Sequence, residues 1–137
     1  MTDLSELEMR IITYLEEAGL ENITDMFNAV SGRSGDPLEL MAFQDALERL
    51  VRLDLVRVEP SKSNGLQPVT LDESLLAVSD VRTRHYFDPT TKRWKDAMRM
   101  NRTEAYTYPY IVYHGRGRAV AIEILEERGW RWWTESK

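Results

Sequence analysis

The chain has 137 residues and a mass of 16.0 kDa, which fits one domain or a small domain with an appendage. Its 42% hydrophobic and 30% charged residues are typical of a folded globular protein and exclude a disordered or fibrous one. The absence of cysteine excludes disulfides, thiolate metal sites and a cysteine nucleophile, and it favours a reducing cytoplasm.

The net charge is −5, which on its own disfavours a simple polyanion binder. The charge is unevenly distributed, because residues 1–60 carry 13 acidic and 5 basic side chains whereas residues 61–137 carry 10 acidic and 13 basic ones. The N-terminus is acidic and no apolar run approaches the ~20 residues that cross a bilayer, so we expect neither a signal peptide nor contact with a membrane. These features predict a cytoplasmic protein.

Three helices are predicted in the first part of the chain. Apolar residues recur at helical spacing over residues 4–20, and a second, shorter helix begins at Asn22 or Thr24 and ends at Gly32. The third helix begins near Pro37, because proline suits the first turn of a helix. Its buried stripe consists of Leu40, Phe43, Leu47, Leu50 and Val51.

The hydrophobic period changes after the third helix. Residues 55–58 form a short run with β-branched valines, and they lead to a polar tip that contains Asn64-Gly65, the strongest short hairpin signal. We therefore expect a return strand that ends at Leu71.

The remaining residues alternate between helix and strand signals. We predict a helix over 72–80, a hairpin from residues 83–87 and 92–95, a strand over 106–113, a helix over 119–128 and a final short strand, Trp130–Trp133. The pattern as a whole predicts an α+β protein, with residues 1–80 as one domain and residues 81–137 as a small aromatic-rich α+β extension.

The helix that runs into Leu53-Asp-Leu-Val-Arg-Val-Glu-Pro60, followed by a polar tip and a return strand, resembles the winged-helix superfamily, and this junction is similar to that of MarR-like bacterial regulators. The resemblance covers about residues 4–78. It implies a winged helix-turn-helix whose third helix enters the major groove of DNA and whose wing touches the neighbouring backbone or minor groove. By position, the helix and wing would offer Gln44, Arg49, Arg52, Lys62 and Asn64. Because Asp45 and Glu48 alternate with these cations, a solvated face is an alternative for the helix.

The most basic window, residues 80–102, interleaves cations with Tyr86, Phe87 and Trp94. Such a strand surface suits phosphate contacts combined with base stacking. The alternative is an ordinary hairpin with its aromatic rings in the core and its arginines in water. The candidate DNA contacts here are Arg82, Arg84, Arg93, Lys95 and Arg99.

Other motifs predict little chemistry. His114-Gly-Arg-Gly-Arg118 could hold an anion before a helix, but it lacks the full glycine pattern of a nucleotide loop, so a plain turn is favoured. The two histidines, His85 and His114, have no metal-ligand spacing. We therefore expect no enzyme activity, no cofactor and no metal.

The leading hypothesis is a small transcriptional regulator that binds double-stranded DNA. The alternative is a non-enzymatic protein-interaction adaptor, such as a phage or mobile-element accessory protein, whose acidic first half meets a basic partner. Tyrosine and tryptophan at alternate positions near the C-terminus also make a protein partner or a homodimer credible, since these residues are enriched at interface hot spots.

Overall fold

The computed structural model describes residues 3–31, 33–59, 70–97 and 109–133. Helices and short antiparallel strands in these ranges form an α+β protein, which confirms the predicted class. The helices are α1 (Glu6–Ala18), α2 (Ile23–Val30), α3 (Pro37–Arg52), α4 (Leu71–Ser79), α5 (Val81–Arg84) and α6 (Gly117–Arg128). The strands are β1 (Glu21–Asn22), β2 (Val56–Glu59), β3 (His85–Asp88), β4 (Arg93–Asp96) and β5 (Tyr110–Tyr113).

Side-chain caps fix where the helices begin. The Ser5 hydroxyl accepts a hydrogen bond from the Glu8 N–H, and the Glu8 carboxylate accepts one from the Ser5 N–H, so that α1 starts in a capping box. The Asp36 carboxylate accepts from the Leu38 N–H at 2.9 Å, which starts α3 at Pro37 as predicted.

The larger sheet has the order β1-β5-β2, with both neighbours antiparallel to β5. Val58 lies opposite Ile111 in the register, and both side chains are buried. The described partner of β2 is thus β5 rather than the expected return strand. The predicted end of that strand was wrong, because Leu71 is the first residue of α4 and Thr70 caps it. The predicted turn at Asn64-Gly65 lies outside the described residues.

Segments from both sides of residue 80 share one sheet and one core. The second part of the chain contributes β5, which lies between two strands of the first part, and α6, which packs against α1. The fully buried centre consists mainly of Ile11, Ile12, Leu15, Phe27, Phe43, Leu47, Leu50, Val56 and Ile111. Packing across the predicted domain boundary is therefore extensive.

The second hairpin, β3 and β4, is present as predicted, although residues 83 and 84 belong to α5. Trp94 packs its ring on Phe27 at 5.3 Å and on Phe87 at 5.4 Å between centroids. The Asn28 side chain bonds to both backbone polar groups of Trp94, which attaches the edge of β4 to α2.

The predicted strand Trp130–Trp133 was wrong, because these residues form a turn. Gly129, with a φ of 96°, ends α6. The chain then bends so that the buried ring of Trp133 packs on Tyr14 at 6.3 Å, while Trp130 remains 63% exposed. In the described ranges, no helix combines the length and apolar character needed to cross a membrane.

Candidate nucleic-acid interface

Two flanks of α3 contact different parts of the protein. At 100° per residue, Gln44 and Arg49 lie roughly 140° apart around the helix. On one flank, the side-chain oxygen of Gln44 accepts a hydrogen bond of 3.0 Å from the Arg82 backbone N–H. This bond fixes the start of α5, and with it the basic segment, directly beside α3.

Arg49, on the other flank, serves the protein's own structure. Its guanidinium pairs with the buried Glu8 carboxylate and donates a 2.9 Å hydrogen bond to the Asp3 carbonyl oxygen. Because Glu8 also caps α1, Arg49 fastens α3 to the start of that helix. These contacts hold Arg49 against α1, where the Glu8 carboxylate already balances its charge.

The exposed face of α3 between these flanks is mixed. Arg52 pairs with Glu48 at 3.4 Å, and both side chains are well exposed, so this ion pair contributes little and can yield to another anion. Toward the N-terminus the face presents Leu38, which is 67% exposed, and Met41 beside the acidic Asp45. Of the cations predicted on α3, Arg52 is the one whose intramolecular contacts are weak.

Arg84 is also structural. Its Nε donates to Asp96 Oδ2 at 2.7 Å, and the Asp96 side chain is only 2% exposed. Nearby, the His85 ring lies between the Thr24 hydroxyl at 2.8 Å and the Val81 carbonyl oxygen at 2.9 Å. Burial is the main cause that lowers the pKa of His85, which keeps the ring neutral. These contacts attach the hairpin to α2 and α5.

The outer face of the hairpin, which we call the hairpin face, consists of Tyr86, Asp88, Arg93 and Lys95. Strand alternation places these four side chains on one side, with Tyr86 opposite Lys95 and Asp88 opposite Arg93. Lys95 bonds to Asp88 at 2.8 Å across the strands, which lowers the pKa of Asp88 and raises that of Lys95. Both side chains are solvent-accessible, so a phosphate could compete for the lysine.

Arg82 and Arg93 have exposed side chains and form no ion pair with any other residue in the described ranges. The predicted contacts Lys62, Asn64 and Arg99 lie outside those ranges. The structure thus divides the predicted cations into a structural pair, Arg49 and Arg84, and an accessible set, Arg52, Arg82, Arg93 and Lys95. Sequence reasoning could not separate these groups, since both contain exposed-looking arginines in polar surroundings.

A cavity of about 360 Å³ lies between α2 and the hairpin. Its walls consist of Thr24, Asp25, Asn28, Tyr86, Arg93, Trp94, Lys95 and Asp96. The cavity brings the hairpin face together with the polar side of α2, a combination that sequence reasoning missed because α2 and β4 are more than 60 residues apart. The long-range Asn28–Trp94 bonds that create it leave no signal in a local pattern.

The glycine-containing loop before α6 serves packing. The Gly117 N–H donates to the His114 carbonyl oxygen at 2.8 Å, and Arg118 pairs with Glu16 at 2.9 Å. Asp54 bonds to Arg57 at 2.7 Å, which lowers the pKa of Asp54, and lies 3.1 Å from the His114 ring. The Gly117 N–H and the Arg118 guanidinium are therefore used within the fold, whereas Arg116 of the same loop is exposed.

Across residues 3–31, 33–59, 70–97 and 109–133, no three histidine, aspartate or glutamate side chains come together as metal ligands. Comparisons with protein-family models, with curated proteins and with solved structures find no match for this chain.

Proposed function

We propose that this protein is a small DNA-binding regulator of the winged-helix type, and that it contacts duplex DNA through Arg52, Arg82, Arg93 and Lys95. The observation that carries the proposal is the hydrogen bond from the Arg82 backbone to Gln44, because it joins the basic segment to the flank of α3. In this arrangement, cations from α5 and β4 supply the positive charge that the exposed face of α3 lacks.

The order of elements supports the winged-helix assignment. Three helices, α1 to α3, lead into β2, and β2 pairs with an antiparallel strand, as a wing requires. Because that partner is β5, the wing would be an enlarged segment between Glu59 and Tyr110 that includes α4, α5 and the second hairpin. The hairpin face would then touch the DNA backbone beside the groove that α3 enters.

The affinity of this protein for duplex DNA should fall with salt concentration in proportion to the number of phosphate contacts. Each phosphate contact lowers the slope of log affinity against log salt by ~0.9, so four contacts give a slope of about −3 to −4. Fluorescence anisotropy with a mixed-sequence duplex of ~20 base pairs measures this slope directly. Absence of binding at 50 mM salt would contradict the proposal.

Variants test which cations make contact. We expect Arg82→Ala combined with Arg93→Ala to weaken duplex binding and to reduce the salt slope by about two contacts, or ~1.8. Arg116→Ala is the matched control, because Arg116 is also an exposed arginine but lies at the start of α6, outside the accessible set. Equal effects of the control and the double variant would remove these two residues from the interface.

A second candidate function, a protein-interaction adaptor, is favoured by one observation. Leu38 and Met41 are exposed on α3 where a DNA-reading helix carries polar side chains, and Leu76 of α4 is 70% exposed. Light scattering of the protein and of its Leu38→Glu variant tests whether this apolar surface mediates self-association. A homodimer that the variant converts to a monomer would support this interface, whereas a strict monomer in both would oppose the homodimer.

A further inference from the structure

A second cavity, of about 550 Å³, lies between the C-terminal half of α1 and the turn that follows α6. We call it the tryptophan cavity. Its walls consist of Thr13, Tyr14, Glu16, Glu17, Leu125, Trp130, Arg131 and Trp133. The cations that we propose as DNA contacts belong to α3, α5 and β4, so this cavity is a separate part of the described surface.

Three polar side chains of the tryptophan cavity already serve the fold. The Thr13 hydroxyl donates to the Met9 carbonyl oxygen at 2.7 Å. The Glu16 carboxylate accepts from the Arg118 guanidinium with both oxygens, at 2.9 and 3.1 Å. Arg131 also has an interaction within the protein. We therefore do not count these three side chains as groups that bind a ligand.

Trp130 presents an open ring on a fixed backbone. Its side chain is 63% exposed and makes no aromatic or cation–π contact with any described residue. The turn that carries it is held by two hydrogen bonds, from the Gly129 N–H to the Leu125 carbonyl oxygen at 2.8 Å and from the Trp132 N–H to the Gly129 carbonyl oxygen at 3.3 Å. Tryptophan is the aromatic side chain that attracts a cation most strongly, and it is enriched at interface hot spots.

The charge around the tryptophan cavity favours a cation. Glu17 lines it, is exposed, and forms no ion pair with any residue in the described ranges. Burial is the main cause that raises the pKa of Tyr14, and the carboxylates of Glu21, Glu17 and Asp25 raise it further. Since nearby carboxylates disfavour another negative charge at the Tyr14 hydroxyl, the potential there is negative. A positively charged ligand is therefore attracted to this surface.

We propose that the tryptophan cavity binds an arginine side chain from a basic segment of a partner protein, with the guanidinium on the Trp130 ring and its N–H groups donating to Glu17. A guanidinium is planar, stacks on aromatic rings and matches a carboxylate, whereas the ammonium of lysine is a strongly hydrated point charge. The cavity volume leaves room for the residues beside the arginine. The inference goes beyond duplex binding and does not depend on it.

The experiment is an NMR titration of the intact ¹⁵N-labelled protein with two seven-residue glycine–serine peptides. One carries a central arginine, and the other carries citrulline, which has the same shape without the charge. We expect the arginine peptide to shift the indole N–H signal of Trp130 saturably, and the citrulline peptide to bind about 3- to 30-fold more weakly. This factor combines an exposed cation–π contact with an exposed ion pair.

Variants make the titration specific to the two groups that we propose. Trp130→Ala and Glu17→Gln should each weaken binding of the arginine peptide by about 2- to 5-fold, measured from the backbone amide signals. Leu76→Ala and Glu126→Gln are the matched controls, because each replaces an exposed side chain of the same kind outside the cavity. The spectrum of each variant also verifies that it is folded.

Three results would overturn the proposal. Equal affinity for the arginine and citrulline peptides would mean that the cavity does not recognise the charge. Equal affinity for the peptide and for free L-arginine would exclude a protein segment as the occupant. A dimer that light scattering detects without peptide, and that Glu17→Gln dissociates, would mean that a second copy of this chain supplies the arginine.

Discussion

The side chain of Asn28 pairs with the backbone of Trp94 as a neighbouring strand would. Its Nδ2 donates to the Trp94 carbonyl oxygen at 2.9 Å, and its Oδ1 accepts from the Trp94 N–H at 2.8 Å. All four atoms are buried in the contact between α2 and β4. One amide side chain thereby satisfies the edge of a hairpin that would otherwise present unpaired backbone groups to the core.

We expect Asn28→Ala to lower the free energy of unfolding by about 2 to 4 kcal/mol, because it leaves a buried N–H and a buried carbonyl without partners. Urea unfolding at neutral pH measures the change. Gln44→Ala is the matched comparison, since it also removes an amide-to-backbone bond, but one at the surface. Its cost should stay at about 1 kcal/mol, and equal costs for the two variants would show that burial of the Asn28 bonds is unimportant.

Arg84 pairs with a buried carboxylate and Arg52 with an exposed one, so replacing them should lower the free energy of unfolding by different amounts. Arg84→Ala removes a 2.7 Å ion pair from the buried Asp96 carboxylate, so we expect a loss of about 3 kcal/mol. Arg52→Ala removes an exposed pair with Glu48 and should change stability by less than about 1 kcal/mol. Thermal and urea unfolding of the two variants test this difference, and a larger loss for Arg52→Ala would contradict it.

His85 makes stability depend on pH in a defined direction. Burial lowers its pKa in the folded protein below the ordinary value of 6.5. The unfolded chain therefore binds the proton more readily between the folded pKa and 6.5, so stability is complete above that window and is lost as the pH falls through it. The slope contributed by one histidine is at most about 1.4 kcal/mol per pH unit.

Urea unfolding at pH 7.5 and pH 5.5 compares the natural chain with His85→Gln. The variant lacks the titrating ring, so its loss of stability on acidification should be smaller than that of the natural chain. Other groups that titrate in this range act on both proteins and cancel in the difference. An identical loss in both proteins would mean that the pKa of His85 is not lowered by folding.

Gly117 is expected to be the least replaceable glycine near the sheet. A Cβ at this position would overlap the carbonyl oxygen of Leu55 and lie 2.9 Å from its carbonyl carbon, and neither backbone atom can rotate away. We expect Gly117→Ala to destabilise the protein by about 2 to 3 kcal/mol. Gly19→Ala has only the backbone cost of its φ of 81°, because its surroundings are open, and should cost about 1 kcal/mol.

Much of the secondary structure could be predicted because its causes are local. The apolar spacing of α1, the proline at the start of α3 and the turn residues between β3 and β4 act within a few positions of the chain. The pairing of β2 with β5 could not be predicted this way, since the two strands are more than 50 residues apart and no turn links them. The turn at Trp130–Trp133 was mistaken for a strand because Trp130 and Trp132 alternate as strand residues do, whereas the ring that the fold buries against α1 is that of Trp133.

The accessibility of the predicted cations likewise depends on contacts that are distant in the sequence. Arg82 and Arg93 were identified from the basic window, and both prove accessible. Arg84 was identified from the same window and Arg49 from its position on the expected recognition helix, but their partners Asp96 and Glu8 are 12 and 41 residues away. Whether a cation is accessible depends on which carboxylate the fold brings to it, and composition alone carries no information about that distance.

The central position of β5 also has a consequence for how the molecule assembles during synthesis. β1 and β2 emerge from the ribosome before β5, but neither pairs with the other, and the strand that joins them begins at Tyr110. Closing so long a segment before any sheet contact forms is entropically costly and slows folding. The larger sheet is consequently a late event relative to its outer strands, completed only after β5 has been made.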